Sequence, residues 1–334
     1  MRAAVLHKPG PMNEKPLTVE ERPVPEPGPG EVLLRVEACG VCRTDLHITM
    51  GELKPLRDEV IPGHQIVGRV GRLGEGVPAN LLAVGERVGV SWMGGVDGTC
   101  LLCRKGMENL CDHPVFTGYT VNGGYAEYTV ARADFCAPLP GEPKAEELAP
   151  LLCAGIIGFR SLRVAGVKRG DRVGLFGFGS SAHLTIEVLK AWNCEVYVAT
   201  RGESHRQMAR ELGAKWAGEA LDRPPVLLDC AVTFAPSGDV VLAALAALRK
   251  GGAVAINAIH LDRMPQFDYD SLLWGERQLR SVANMTREDA RDFLKVAQEI
   301  GIRPKTTLFP LEEVNAALNA VYRETIDGAA VVLC

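Results

Sequence analysis

The stretch Gly174-Leu-Phe-Gly177-Phe-Gly179-Ser180-Ser181-Ala182 limits the possible folds more than any other segment of the chain. It follows the apolar run Arg172-Val-Gly-Leu-Phe and precedes an amphipathic stretch from Ala182 to Trp192, so it reads as the turn from a buried strand into a helix. Backbone N–H groups at such a helix start can face a pyrophosphate, and glycine lets the backbone come close to it. A glycine pattern alone would fit many tight turns. Here the flanking strand, the helix and a second strand, Glu195-Val-Tyr-Val-Ala, all have the lengths of a dinucleotide-binding βαβ unit. Gly177, Gly179, Ser180 and Ser181 are therefore candidate cofactor contacts, with Ala182 in the third glycine position.

The texture of the chain extends this reading. From about residue 150 strands alternate with helical stretches, at His205–Leu212, Val226–Cys230, Val240–Leu248 and Ala253–Asn257, which predicts a parallel sheet. The first third instead carries short β-branched runs between turn residues and reads as a compact β-rich domain. The tail, a helix at Leu311–Val321 and a strand at Ala329–Leu333, resembles that first third. A chain of 334 residues also exceeds what one core usually organises, so two domains are expected.

A net charge of -4, from 37 basic and 41 acidic residues spread along the chain, offers no basic stripe and argues against nucleic acid or a lipid surface as partner. The opening residues lack a signal-like apolar run and no apolar run is expected to span a bilayer, so a cytoplasmic location is expected. In that setting the ten cysteines read as metal ligands and buried thiols rather than as a disulfide framework.

At the end of the second strand, where an acid would bind the adenosine ribose, stand Thr200 and Arg201, with Arg206 nearby. A hydroxyl and guanidinium groups accept a 2'-phosphate without repulsion, so NADP(H) is expected over NAD(H). Upstream, Cys42-Arg43-Thr44-Asp45-Leu46-His47 and Gly63-His64-Gln65 set a thiolate and an imidazole among polar residues, the makings of a metal site in which Cys39 and Cys42 are equally eligible.

Four segments in order, Gly40 to His47, Pro62-Gly63-His64, Asn122 to Tyr128 and Leu151-Leu-Cys153-Ala-Gly155, resemble the zinc-dependent alcohol dehydrogenases of the medium-chain dehydrogenase/reductase superfamily. The resemblance covers essentially the whole chain. It implies an α/β protein: a GroES-like β-rich catalytic domain, split over 1–149 and 286–334, around a Rossmann doubly wound parallel sheet at 150–285. The active site would lie in the interdomain cleft. It implies Cys42, His64 and Cys153 as catalytic-zinc ligands, Asp45 as the carboxylate on His64, Thr44 and His47 as a proton relay, Arg43 as a pyrophosphate contact and Trp92 as a wall of the substrate pocket. It also implies a structural zinc held by Asp97, Cys100, Cys103 and Cys111, with aspartate where relatives carry a first cysteine. Gln65 replaces a usual glutamate, which removes one charge near the metal, and Ala329 replaces a usual arginine. The activity so implied is hydride transfer between a small alcohol or aldehyde and the nicotinamide cofactor, in a homo-oligomer, dimer or tetramer. Two rival readings are a zinc-free quinone or enone reductase, which would lack the Cys-His-Cys set, and a non-catalytic nucleotide-binding protein.

Overall fold

The computed structural model describes residues 1–326 and 328–334, which form two compact units. The first holds Met1–Cys153, Asn284–Leu294 and Arg303–Cys334; the second holds Ala154–Ala283 and Lys295–Ile302.

The first unit is built on a seven-stranded sheet centred on Glu31–Val41. That strand runs antiparallel to Gln65–Leu73 on one side, while Tyr128–Arg132 and Ala329–Leu333 share its other side, one half each. The sheet continues through Arg87–Val90 to Cys136–Pro138, and Thr306–Pro310 lies parallel to Ala329–Leu333 at the opposite end. Leu34, Ile66, Val88 and Val332 are fully buried, and each large aliphatic group so removed from water contributes roughly 1.5–3 kcal/mol. A 3-10 turn, Ala149–Leu152, packs on these strands and delivers Cys153 at its end. Gly89 makes room for that turn: a Cβ there would sit 2.5 Å from Leu152 Cδ2.

In the second unit six strands run parallel: Arg172–Phe176, Glu195–Ala199, Trp216–Gly218, Leu228–Thr233, Leu248–Ile256 and Gln278–Ser281. Numbered in chain order within the unit, they lie 3-2-1-4-5-6 across the sheet. The central strands are apolar and buried almost throughout, as a sheet covered on both faces requires. The order reverses beside Arg172–Phe176, and the chain leaves that strand through Gly177 at φ 90°, a conformation that favours glycine. Helix Ser180–Ala191 follows. It packs closely on helix Ala154–Ala165, where a Cβ on Gly158 would lie 2.2 Å from Thr185 Oγ1.

Several boundaries differ from the sequence expectation. Helix Ser180–Ala191 starts two residues early, Leu228–Thr233 starts two residues late, and Leu248 opens a strand instead of closing a helix. The expected helix at Leu311–Val321 is a 3-10 turn, Leu311–Glu313, followed by helix Val314–Tyr322. Residues 145–165 have the length and, over an 18-residue window, the mean hydropathy (1.5) of a membrane span, although Glu146, Glu147, Arg160 and Arg163 interrupt them. Of that window 72% is buried within the fold, as in a core helix.

Candidate active site and metal centre

Cys42 is the N-cap of the short helix Arg43–Thr49. Its backbone N–H donates to Asp45 Oδ2 (2.9 Å), and its sulfur accepts the N–H of Thr44 (3.4 Å). Asp45 is fully buried, and its other oxygen accepts from His64 Nδ1 (3.1 Å). The carboxylate thus fixes the imidazole with Nε2 toward Cys42 Sγ, 3.3 Å away. Cys153 completes a group whose three ligand atoms all lie within 4.8 Å of one another. Tetrahedral zinc, with Zn–S of about 2.3 Å and Zn–N of about 2.0–2.1 Å, spaces its ligand atoms roughly 3.5–3.8 Å apart, so the donor set fits that ion. Three protein ligands leave one position for substrate, as in a catalytic rather than a structural zinc site.

The electrostatics suit a cation. The Cys153 thiol donates to Cys42 and holds the Cys42 thiol well below its usual range, while Cys153 itself is pushed up by that same bond and by burial. Burial opposes a charged His64, but Asp45 and Cys42 outweigh it and raise its proton affinity. A metal ion binding here would displace that proton. Cys39 is not gathered: it is fully buried in the sheet core, where burial pushes its thiol up. Gln65 is buried too, and its side chain lies against Gly40, where a Cβ would come within 2.7 Å of Oε1.

A second cluster forms from Asp97, Cys100, Cys103 and Cys111, again with ligand atoms within 4.8 Å of one another. The N–H groups of Cys100 (2.9 Å) and Thr99 (2.8 Å) hold the Asp97 carboxyl well below the carboxylate range. Cys100 accepts the N–H of Cys103 (3.4 Å), which lowers its thiol; Cys111 accepts those of Asp97 (3.4 Å) and His113 (3.3 Å). Burial pushes Cys103 up to about 12.

The aromatic and polar residues around the trio are also placed. Trp92 meets His64 edge-on at 5.3 Å and stacks on Phe116 (4.8 Å) and Tyr119 (6.0 Å). Thr44 is buried. His47 Nδ1 pairs with the Glu52 carboxylate, a partner not expected from the motif itself. Arg43 pairs with Glu324 at 2.5 Å, so its guanidinium is already engaged.

Past the carboxyl ends of two neighbouring strands of the second unit, Ser180 and Ser181 open the helix after Gly177 and Gly179, and Thr200 is buried just past strand Glu195–Ala199. Arg206 corrects the sequence expectation of a second free cation. Its guanidinium is bound by Glu203 (2.8 Å) and Glu219 (2.6 Å) and donates to Thr200 O (3.3 Å). Arg201 is exposed and has no ion-pair partner among the described residues.

Comparison with known proteins draws these features together. The model of the alcohol dehydrogenase GroES-like domain matches residues 28–141, and that of the zinc-binding dehydrogenases matches residues 182–299. A probable alcohol dehydrogenase AdhA of Mycobacterium tuberculosis is 48% identical over 336 residues, 100% of this chain and 97% of that protein. An alcohol dehydrogenase of Geobacillus stearothermophilus is 33% identical over 346 residues, 99% of each. This chain belongs to the alcohol dehydrogenases of the medium-chain dehydrogenase/reductase superfamily. The dehydrogenase is therefore an oxidoreductase acting on small molecules. Among solved structures it is similar to acetophenone reductase from Geotrichum candidum in complex with NAD (25% identity, TM-score 0.86, covering 100% of this chain and 97% of that one). It also shares its fold with a cobalt- and zinc-bound alcohol dehydrogenase from Pyrobaculum aerophilum (23%, TM-score 0.89, covering 100% and 99%).

Gly63 shows how tightly the dehydrogenase is packed at the trio. It sits at φ 94°, and a Cβ there would come within 2.8 Å of both Cys39 Sγ and Tyr125 Cδ1. Gly63→Ala is expected to cost about 1–3 kcal/mol from backbone strain, more with the clash, and to lower metal content by displacing His64. Denaturant unfolding with metal analysis checks this; wild-type stability in the variant would contradict it.

Proposed function

We propose that this dehydrogenase is zinc-dependent and moves a hydride between a small alcohol and the nicotinamide of NADP(H), which it prefers to NAD(H). The observation that carries the reading is the convergence of Cys42, His64 and Cys153, with Asp45 buried behind the histidine. The ion, when bound, supplies Lewis-acid polarisation of the substrate oxygen. Cys42 and Cys153 hold it as thiolates and His64 as a neutral imidazole whose Nδ1–H is kept by Asp45. Thr44 Oγ1 would accept the proton of the alcohol while giving up its own, and His47, oriented by Glu52, would release a proton to water at the far end of the relay. The cofactor, when bound, would take up hydride from the alcohol carbon, leaving carbonyl compound, reduced cofactor and one proton. Trp92 bounds the pocket. Gly177, Gly179, Ser180 and Ser181 would receive the pyrophosphate. The second cluster holds a structural zinc. A zinc-free enone reductase would have no use for the buried Asp45–His64 pair.

Cofactor reduction with a panel of alcohols, before and after chelation, tests the reading: zinc-dependent turnover supports it, and chelator-resistant enone reduction overturns it. The NADP(H) preference now rests on Arg201 beside Thr200, since Arg206 is neutralised by two carboxylates. Losing a charge-assisted bond of roughly 1.5–3 kcal/mol, Arg201→Ala should raise KM for NADP+ by about tenfold or more and change KM for NAD+ little. Equal effects on the two cofactors, or a wild type that uses NAD(H) as well as NADP(H), would defeat the preference.

A further inference from the structure

Trp92 can shape a pocket only if its indole plane is held. Stacking on Phe116, with 20° between the ring planes, and on Tyr119, with 16°, limits its tilt but leaves it free to slide within the stack. A polar anchor removes that freedom. The indole Nε1–H donates to Asn284 Oδ1 (3.1 Å), and Asn284 Nδ2 donates in turn to the backbone carbonyl of Asn109 (2.9 Å). Indole is a donor only and a carbonyl an acceptor only, so the two partners fix the amide's orientation. A carboxylate could serve the indole but not the carbonyl; an aliphatic side chain could serve neither. The backbone agrees, because Asn284 sits at φ 54°, a left-handed conformation that asparagine tolerates better than most residues. Asn109 is buried in the turn Glu108–Leu110, between Cys103 and Cys111.

We propose that Asn284 is a positioning residue that locks the Trp92 indole edge-on to His64 and ties its orientation to the loop carrying Asp97, Cys100, Cys103 and Cys111. The proposal rests on the function given above for its consequence: the preference for one size of alcohol over another is set by a residue 192 positions from Trp92 that need not touch substrate. Order in the four-ligand loop then reaches the pocket through Asn109, Asn284 and Trp92.

Asn284→Gly keeps the left-handed backbone and removes both hydrogen bonds; Asn284→Asp keeps the acceptor for Trp92 and removes the donor to Asn109. The first readout is the near-ultraviolet circular dichroism of Trp92, obtained as the wild-type spectrum minus that of Trp92→Phe. The second is the ratio of kcat/KM for benzyl alcohol to that for ethanol. Asn284→Gly is expected to reduce the Trp92 dichroism measurably and to shift the ratio by about 5- to 10-fold, the worth of one hydrogen bond. In a Trp92→Phe background the same change should shift the ratio less than about twofold. Asn284→Asp should fall between wild type and Asn284→Gly, which keeps the test available if the glycine variant folds poorly. Trp92 dichroism that is unchanged in both variants, or an equal shift in ratio without Trp92, would overturn the proposal. A wild type that turns over no alcohol would sink the proposed function and the selectivity it implies, while the dichroism still decides whether Asn284 holds the ring.

Discussion

Cys153→Ser is expected to cut alcohol oxidation by roughly 1,000-fold or more and to release one zinc per chain. A Lewis-acid ion is worth several kcal/mol in the transition state, and each 1.36 kcal/mol is a factor of ten. Serine keeps the size of the side chain but not the soft anionic ligand, so circular dichroism should stay native while zinc content falls. Cys42→Ser should do the same with the start of helix Arg43–Thr49 intact, because a serine hydroxyl can accept the Thr44 N–H that Cys42 Sγ accepts. Asp45→Asn is a graded version. The amide can still accept one hydrogen bond, but the fully buried carboxylate now serves both His64 Nδ1 and the Cys42 N–H. A loss of about 10- to 100-fold in metal affinity is expected. Full activity in Cys153→Ser would show that the trio is not the catalytic centre.

The second large effect is expected at the four-ligand loop. Leu101, Met107 and Leu110 are all exposed, so the segment has little core of its own. Among its ties to the rest of the unit are Arg287 on Glu108 (2.8 Å) and Asn284 on Asn109. Structural zinc contributes on the order of 10 kcal/mol or more to the folding of isolated zinc-binding peptides. Cys111→Ser should therefore release the second zinc, expose residues 97–112 to proteases and lower the thermal midpoint by several degrees. Asp97→Cys should retain the metal, with one more soft ligand. Limited proteolysis beside metal analysis reads both variants. A Cys111→Ser protein that keeps two zinc ions and resists cleavage would remove the metal from the account of this loop.

The α/β architecture was legible because its signals are local. Strand Arg172–Phe176, Gly177 and helix Ser180–Ala191 are contiguous, and so are Cys42, Asp45 and His47 on one short helix. Helix ends slipped by a residue or two because the start of a helix is set by hydrogen bonding that apolar spacing does not report. Partners far apart in sequence were not legible. Arg43 finds Glu324 and Trp92 finds Asn284, separations of 281 and 192 residues that no spacing rule reaches. Arg206 looked like a free cation because Glu219, which helps neutralise it, follows only after the chain has crossed to strand Trp216–Gly218. Only the family resemblance points to Cys153. What brings it beside Cys42 and His64 is the turn Ala149–Leu152, seated against the strands where Gly89 leaves space.

Zinc dependence of alcohol turnover tests the central claim most directly. The purified dehydrogenase is assayed for reduction of NADP+ with an alcohol panel as isolated, after removal of metal by a chelator, and after zinc is added back, with zinc per chain measured at each step. The account predicts two zinc ions per chain at the outset, loss of turnover as the ion at Cys42, His64 and Cys153 leaves, and recovery when zinc returns. Turnover that persists in a protein stripped of zinc would contradict it.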